Sequence, residues 1–294
     1  MDEFLRYLFI GFGNGAIYAM LGLGLVVIYR STGLLNFAQG EMAMFTTFIV
    51  WMLNDAGVPL GLAMLGGMVG GFVIGAVVHQ VIVRPVGDPQ QKPLAVVIVT
   101  IGMFLGFNAL AKLIWGADDK TLTNLFGNGE VSIFGTAVAW QKLGALAVLG
   151  IEALVFWVLF QRTRIGLAMR AVASNPESSA LCGVPVTQVL MVGWGLAAAI
   201  GAVAGTFTAP TSSVSANLMQ LPLIYAFAAI TLGGFDSFVG AIVGGLLIGV
   251  LTDVVPRYVP VFEKMSLAPA FLLILVVLLV RPEGIFGRRK VNRV

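Results

Sequence analysis

Long apolar stretches alternate along the chain with short polar and basic ones. There are nine apolar stretches, and most of them reach the ~17–25 residues that a helix needs to cross a bilayer. Each is predicted to be a helix, because lipid offers no water to satisfy an irregular backbone. The segments are about 7–29, 35–53, 60–83, 93–115, 142–161, 187–208, 221–235, 238–254 and 266–281. The pattern therefore predicts an all-α polytopic membrane protein.

The second and seventh segments differ from the others. The second begins with three polar residues, Asn36, Gln39 and Glu41, and then continues as a wholly apolar stretch. The seventh is short and ends in Gly233 and Gly234. Either segment is compatible with a broken or partial crossing. We therefore expect eight or nine transmembrane helices, one or two of them broken or partial.

The composition supports this class of protein and excludes several others. Of the 294 residues, 59% are hydrophobic and 11% are charged, and the mean hydropathy is +0.97. A soluble domain of this length does not hide so much apolar surface, so residues 1–294 are predicted to form one transmembrane domain within a lipid bilayer. The single cysteine, Cys182, excludes an internal disulfide, and the single histidine, His79, excludes the usual zinc ligand sets. The net charge is only +3 and the basic residues cluster between segments, so nucleic acid is not an expected partner.

The distribution of Lys and Arg predicts how the chain lies across the membrane. Placing the polar break at 162–186 in the cytoplasm and alternating sides puts eleven Lys and Arg inside and five outside, with Lys112 left in a segment. Basic residues are enriched in the cytoplasmic loops of membrane proteins. This orientation places the C-terminus, with its basic residues at 288–293, in the cytoplasm, while the side of the N-terminus depends on the number of crossings.

The break at 162–186 is basic and polar, and its second half has the signals of a very short helix. Asn175 suits the N-cap, Pro176 the first helical position, and Glu177 the positive end of the helix dipole. Gly183 lies where a helix C-terminus favours a left-handed residue. A helix of about two turns is well below the ~12–15 residues that an isolated helix needs in water. Either the membrane face of the protein or a partner must stabilise it.

The polar start of the second segment is a candidate for part of a transport path. Polar groups within a membrane are costly and are functional hypotheses by default. If the start is unwound, its backbone and its amides line a water-filled path; the alternative is an interfacial helix start whose polar groups face the headgroups. Residues 32–37 and 232–238 echo each other weakly, since each is a Gly-led break with a polar residue beside Phe. Broken segments repeated in two halves of a chain point to a transport path.

One acidic residue, Glu152, lies near the middle of the fifth segment between apolar neighbours. An isolated charge at that depth costs on the order of 2.5–3.5 kcal/mol. We therefore expect Glu152 to be protonated or bonded to a neighbouring helix.

Glycine recurs at small-xxx-small spacing in the first, sixth and eighth segments. Small residues at this spacing let helices approach closely when lipid removes the hydrophobic drive between them. The spacing predicts close helix packing rather than a site.

The largest external insertion, 116–141, carries β-branched residues and Gly/Asn turn signals that predict a small hairpin. It is either a plain surface loop or a docking lip for an external partner.

The residue combinations of an enzyme are missing from the sequence. There is no G-x-x-x-x-G-K-[ST] loop, so the chain does not bind ATP by that route. No Ser/His/Asp, Cys/His or metal-ligand constellation is present either. We expect no catalytic residue, no metal and no cofactor bound by this chain, so that any energy from ATP enters through another chain.

Several short motifs along the chain match those of a known family. The run from Gly33 to Glu41 resembles the N-F-A-[HQ]-G-E signature of branched-chain amino acid ABC transporter permeases. Two residues depart from the family pattern: Asp236 stands where a small residue is more common, and Glu152 is not expected. The resemblance continues in order along nearly the whole chain, at Arg84-Pro85, Arg164–Ala171, Leu181–Val184, Ala202–Gly205, Leu232–Gly234 and Arg281–Gly287.

The resemblance implies one subunit of an ATP-driven importer in the bacterial inner membrane. Its implied partners are a second permease subunit (a paralogue rather than an identical copy), two cytoplasmic ATPases that use the ATP, and an external substrate-binding protein. It also implies that the loop after the fifth segment docks into an ATPase, which coincides with the short helix predicted there.

Two sets of residues follow as candidates. The predicted substrate path comprises Asn36, Phe37, Gln39, Glu41, Gly233 and Gly234. The predicted ATPase contact comprises Asn175, Glu177, Ser178, Leu181 and Gly183, with Arg164 and Arg170 as its basic approach.

Other functions compete with import of branched-chain or other neutral amino acids. Relatives of this family handle urea and short amides, so the substrate class is less firmly indicated than the transporter class. A self-sufficient secondary transporter or channel is the alternative from a different class. It would require a chain of ion-coupling acidic or histidine groups in the membrane, and only Glu41 and Glu152 are scattered there.

Overall fold

The structure is a computed structural model that describes residues 2–87, 92–133 and 135–287. The basic residues at 288–293, which contributed to the predicted orientation, lie outside the described residues. The helices are α1 (Asp2–Thr32), α2 (Gln39–Asp55), α3 (Leu60–Val78), α4 (Pro93–Trp115), α5 (Trp140–Arg162), α6 (Arg164–Ser174), α7 (Pro176–Leu181), α8 (Val186–Ser212), α9 (Gln220–Gly233), α10 (Phe238–Tyr258) and α11 (Ala268–Val280). A π-helical turn (His79–Val83) and a 3-10 turn (Arg84–Val86) continue α3, a further 3-10 turn spans Pro260–Phe262, and the strands are β1 (Glu130–Ile133) and β2 (Thr136–Ala139).

Each of the nine predicted apolar segments coincides with one helix, and α6 and α7 fill the polar break between α5 and α8. Within the described residues, six helices are long and apolar enough to cross a membrane: α1, α3 with its continuation, α4, α5, α8 and α10. The helices α9 and α11 are apolar but have only 14 and 13 residues. The protein is therefore a polytopic membrane protein with six long spans, and eight or nine crossings stay a prediction.

The helices α1 and α8 form the centre of the bundle. Their spans are 78% buried, whereas those of α3 and α4 are 28% buried. Seven of the nine residues from 197 to 205 in the middle of α8 are Ala or Gly, the other two are Ile200 and Val203, and all nine are buried. Side chains this small let α1, α2 and α3 all approach α8 closely.

Glycine provides the closest helix approaches, as the small-xxx-small spacing predicted. Between α10 and α1, a Cβ at Gly249 would lie 2.4 Å from the Cα of Gly15. Between α3 and α8, a Cβ at Gly75 would lie 2.3 Å from the carbonyl oxygen of Trp194. The glycine spacing in α3 was not singled out from the sequence, although Gly67, Gly71 and Gly75 share one face at i, i+4 and i+8.

The insertion at 116–141 forms the predicted hairpin. Strands β1 and β2 pair antiparallel, with Ile133 opposite Thr136 next to the turn. The same insertion is tied to the loop after α8 by two backbone hydrogen bonds between Lys120 and Val214, of 3.0 and 2.7 Å. The insertion is therefore attached to the C-terminal end of α8, and its external side and its use as a docking lip stay predictions.

We expect Gly75→Ala to destabilise the bundle, whereas Gly102→Ala does not. A Cβ at position 75 meets backbone 2.3 Å away, but one at Gly102 of α4 meets nothing within 4 Å. Overpacking of this kind typically costs about 1–3 kcal/mol, and alanine in an open helical position is neutral or favourable. Thermal unfolding of the two variants in nanodiscs measures the difference. Equal melting temperatures for the two variants would contradict the packing described here.

Candidate substrate path and coupling surface

The chain is unwound between α1 and α2, as predicted for the start of the second segment. Gly33 adopts a left-handed conformation with φ of 74° just after α1 ends, and residues 33–38 are not helical. The Asn36 side-chain oxygen accepts a hydrogen bond from the Ala38 N–H at 3.0 Å, which closes a local turn. Asn36 is only 1% exposed. Its first role is therefore to shape the backbone that leads into α2.

α2 begins inside the bundle rather than at its surface. The Gln39 side-chain amide donates to the carbonyl oxygen of Ala197 at 2.8 Å, and Ala197 lies about 16 Å along α8, which is about 40 Å long. Gly24 of α1 makes room for this amide, since a Cβ there would lie 2.7 Å from Gln39 Nε2. Gln39 and Glu41 are 0% and 1% exposed. The alternative in which these groups face lipid headgroups is therefore wrong for this structure.

Gln39 keeps an unused hydrogen-bonding atom at this position. Its Oε1 is buried and has no partner among the described residues. A buried amide oxygen without a partner is costly. It marks a place where water or a polar part of a substrate would be stabilised.

Glu41 joins a small polar cluster that links α2, α4 and the loop before α9. The Asn108 amide donates to Glu41 Oε2 at 3.5 Å and to the carbonyl oxygen of Ala216 at 2.7 Å. Asn217 accepts from the Gln220 amide at 3.0 Å beside it. Glu41 was predicted as a path residue, but its partners in this cluster were missed. Asn108 was the available signal, because it is an isolated amide in an otherwise apolar segment.

The other predicted path residues either pack against α9 or lie at its end, and they do not form one cluster with Gln39. The ring of Phe37 packs on Phe227, with centroids 5.4 Å apart. Gly40 faces Leu223 near the start of α9, while Gly233 and Gly234 lie at its end, about 15 Å further along the helix. There the carbonyl oxygen of Gly233 accepts from the Phe286 N–H at 3.0 Å. The two glycines hold the C-terminal segment, and their place in the path stays a prediction.

The predicted short helix is present as α7, with the predicted cap. The side-chain oxygen of Asn175 accepts from the Ser178 N–H at 2.8 Å, and Gly183 is left-handed with φ of 80°. Ser179 is buried and bonds back to the carbonyl oxygen of Asn175 at 2.7 Å. Ser179 is therefore the one buried side chain of α7, and its hydrogen bond is local to the helix.

The rest of α7 forms an exposed surface with the helix before it. Leu181 is 90% exposed, and Glu177 and Ser178 are exposed as well. Sequence reasoning missed α6, which Thr163 caps by accepting from the Gly166 N–H at 3.1 Å. The basic residues Arg164 and Arg170 are exposed on α6. We call α6 and α7 together the coupling surface.

A partly buried polar network that joins α1, α5 and α10 was also missed. Lys142 of α5 donates to the side-chain oxygen of Asn14, and the amide of Asn14 donates to Asp253 of α10 at 2.8 Å. Lys142 and Asn14 line a cavity of about 480 Å³ that also reaches Asn217. The network ties three helices together beside the polar cluster at Glu41.

Glu152 has no hydrogen-bond partner for either carboxyl oxygen among the described residues, and it is 8% exposed. Of the two expectations for this residue, bonding to a neighbouring helix is not observed.

A polytopic bundle with a helix that starts in its interior is the architecture of a membrane transporter. The chain matches the family described as "Branched-chain amino acid transport system / permease component" over residues 7–279. It belongs to this family of ABC transporter permeases.

Similar proteins cover nearly its full length. The chain is 29% identical over 305 residues to the high-affinity branched-chain amino acid transport system permease protein LivH of Salmonella typhimurium, covering 99% of this chain and 98% of LivH. It is 29% identical to BraD of Pseudomonas aeruginosa at the same coverage. It is 25% identical to the ribose import permease protein RbsC of Bacillus subtilis, over 81% of this chain and 73% of RbsC.

We expect Gln39→Met to reduce transport strongly while the protein still folds. Methionine keeps the length and bulk of the side chain but removes the bond to Ala197 and the unpartnered oxygen, and the net loss of about 1–3 kcal/mol does not unfold a domain of this size. Uptake and complex assembly measured on the same preparation separate the two effects. Gln188→Met, at an exposed position near the start of α8, is the matched control. Unchanged uptake in the Gln39 variant would remove this residue from the path.

Proposed function

We propose that this chain is the membrane-spanning subunit of an ATP-driven importer of branched-chain or other neutral amino acids in the inner membrane of a bacterium. The observation that carries the proposal is α7, a six-residue helix that presents Leu181 at 90% exposure on a member of a permease family. A helix this short is not stable alone, and an exposed leucine at its end suits a partner's hydrophobic cleft.

The proposed partners follow from the family and from what the chain lacks. They are a second permease subunit, of paralogous sequence, two cytoplasmic ATPases and an external substrate-binding protein. The ATP is used by the ATPases, because this chain has no phosphate-binding loop. The coupling surface and the C-terminus face the cytoplasm in this proposal.

The geometry suggests how movement of α7 reaches the substrate path. A short turn that ends in Pro185 joins α7 to α8, so movement of α7 acts on the central helix through only a few residues. The same α8 holds Gln39 through the carbonyl oxygen of Ala197. ATP-driven displacement of α7 would therefore shift α8 against the start of α2. Alternating access follows as a change between two packings of these helices.

The relatives favour an amino acid as the substrate. LivH and BraD, which are named for branched-chain amino acids, match over 98% of their length, whereas RbsC, named for ribose import, matches over 73%. If a path opens beside them, the amide of Gln39 and the carboxyl of Glu41 among apolar side chains would suit a small molecule that has a polar end and an aliphatic end.

We expect Leu181→Asp to abolish the stimulation of ATP hydrolysis without harming the fold. Leu181 is 90% exposed, so the substitution loses almost no internal contact, but a charged group would enter the proposed ATPase cleft without a partner. The measurement is ATPase activity of the reconstituted complex with and without the loaded binding protein.

Leu181→Met serves as the matched control and should retain stimulation, because it preserves an apolar side chain of similar volume. Normal stimulation in the aspartate variant would show that α7 does not transmit the signal.

A further inference from the structure

A second cavity, separate from the substrate path, lies behind α7. Its volume is about 410 Å³, within the range of small-molecule sites. It is open on one side and is lined by the end of α1, the π-helical and 3-10 turns after α3, Val172 of α6, one face of α7 and the start of α8. We call it the rear cavity.

Two opposite charges line the rear cavity without neutralising each other. Arg84 lies in the 3-10 turn after α3, and Glu177 lies on α7. Both residues are exposed, and among the residues that the structure describes no ion pair within 4 Å joins them. Arg84 and Glu177 are therefore not paired with each other. A cavity with an unmatched cation and an unmatched anion suits a zwitterion.

Other groups near Arg84 and Glu177 could bind the carboxylate and the ammonium group of an α-amino acid. α8 begins with no side-chain cap, so N–H groups of its first turn are available to a carboxylate beside Arg84. On the wall formed by α1, the Ser31 hydroxyl donates to the carbonyl oxygen of Ile28 at 2.8 Å. Its oxygen is left to accept a hydrogen bond from an ammonium group.

The rest of the wall is largely aliphatic. Val83, Val172 and Leu190 line the cavity between the polar groups. His79 lines it as well, is 3% exposed, and keeps a buried Nδ1 without a partner among the described residues. An aliphatic side chain on an amino acid would bury apolar surface here, at roughly 0.8 kcal/mol per CH₂.

We infer that the rear cavity binds a free aliphatic amino acid from the cytoplasm, and that this binding slows further import. The inference rests on the proposed function, since it gives the product of transport a second site. The ligand would bridge Glu177 of α7 to Arg84 at the end of α3.

Such a bridge acts on the coupling surface because α7 has two faces. Glu177 and Ala180 line the rear cavity, whereas Leu181 points away from it and is exposed. A ligand that joins α7 to α3 stabilises the packing in which they lie together. The ligand binds this packing better than any packing in which α7 has moved. It therefore shifts the population of the protein towards this packing and opposes the transport cycle.

The experiment uses proteoliposomes that contain the complete complex, with ATP and millimolar unlabelled leucine in the lumen, which corresponds to the cytoplasm. Initial uptake of labelled leucine from outside is measured. We expect lumenal leucine to slow the wild type several-fold and lumenal ribose to have no effect. Arg84→Gln and Thr187→Trp, which remove the cation and fill the cavity, should transport normally without lumenal leucine and resist the inhibition.

Arg162→Gln removes an arginine that does not line the rear cavity and should remain inhibited like the wild type. Equilibrium binding of labelled leucine to the complex without its binding protein gives a second readout, which Arg84→Gln should lose. Active uptake that lumenal leucine does not slow, or that it slows equally in Arg84→Gln, would overturn this inference and leave the proposed function standing. Absence of ATP-driven leucine uptake under all conditions would instead overturn the proposed function.

Discussion

The amide of Gln39 donates to the carbonyl oxygen of Ala197, and this buried bond determines where α2 begins. The bond requires Gly24, because any larger residue in α1 would occupy the space of the amide. It also requires the turn closed by Asn36, which brings the chain back into the bundle after α1 ends. A helix that starts beside the middle of α8 leaves unwound backbone within the protein. Membranes tolerate such backbone only where protein or a water-filled path surrounds it.

In the proposed function, the same central helix, α8, would connect the substrate path to the cytoplasmic side. α8 is closely packed because most residues in its middle are Ala or Gly, and residues 182–185 join it to the short helix α7. One face of α7 is open to a partner through Leu181, and the other lines a cavity with Arg84 and Glu177. A force applied at α7 and a ligand bound behind it would therefore act on the same element. In the proposed function, α8 would therefore be the mechanical link between energy input and substrate path.

Features that depend on local sequence were predictable, and those that depend on packing depth were not. The apolar segments, the unwound start of the second one, the hairpin and the cap of α7 by Asn175 follow from spacing and side-chain chemistry, and the structure confirms them. The contact between Gln39 and Ala197 joins residues that are 158 positions apart in the chain, and no local sequence pattern encodes it. The network of Lys142, Asn14 and Asp253 was missed for the same reason, since Lys142 looks like an ordinary loop lysine until α1 and α10 surround it. α6 was missed because its basic residues and its exposed Ile165 and Leu167 resemble an irregular loop.

Uptake by defined proteoliposomes tests the central claim most directly. Vesicles carrying this chain and its partner permease should accumulate labelled leucine only when the ATPases, lumenal ATP and the loaded binding protein are all present. Valine should compete with this uptake, whereas urea and ribose should not. Leucine uptake that persists without any ATPase would contradict the account and identify a self-sufficient transporter or channel.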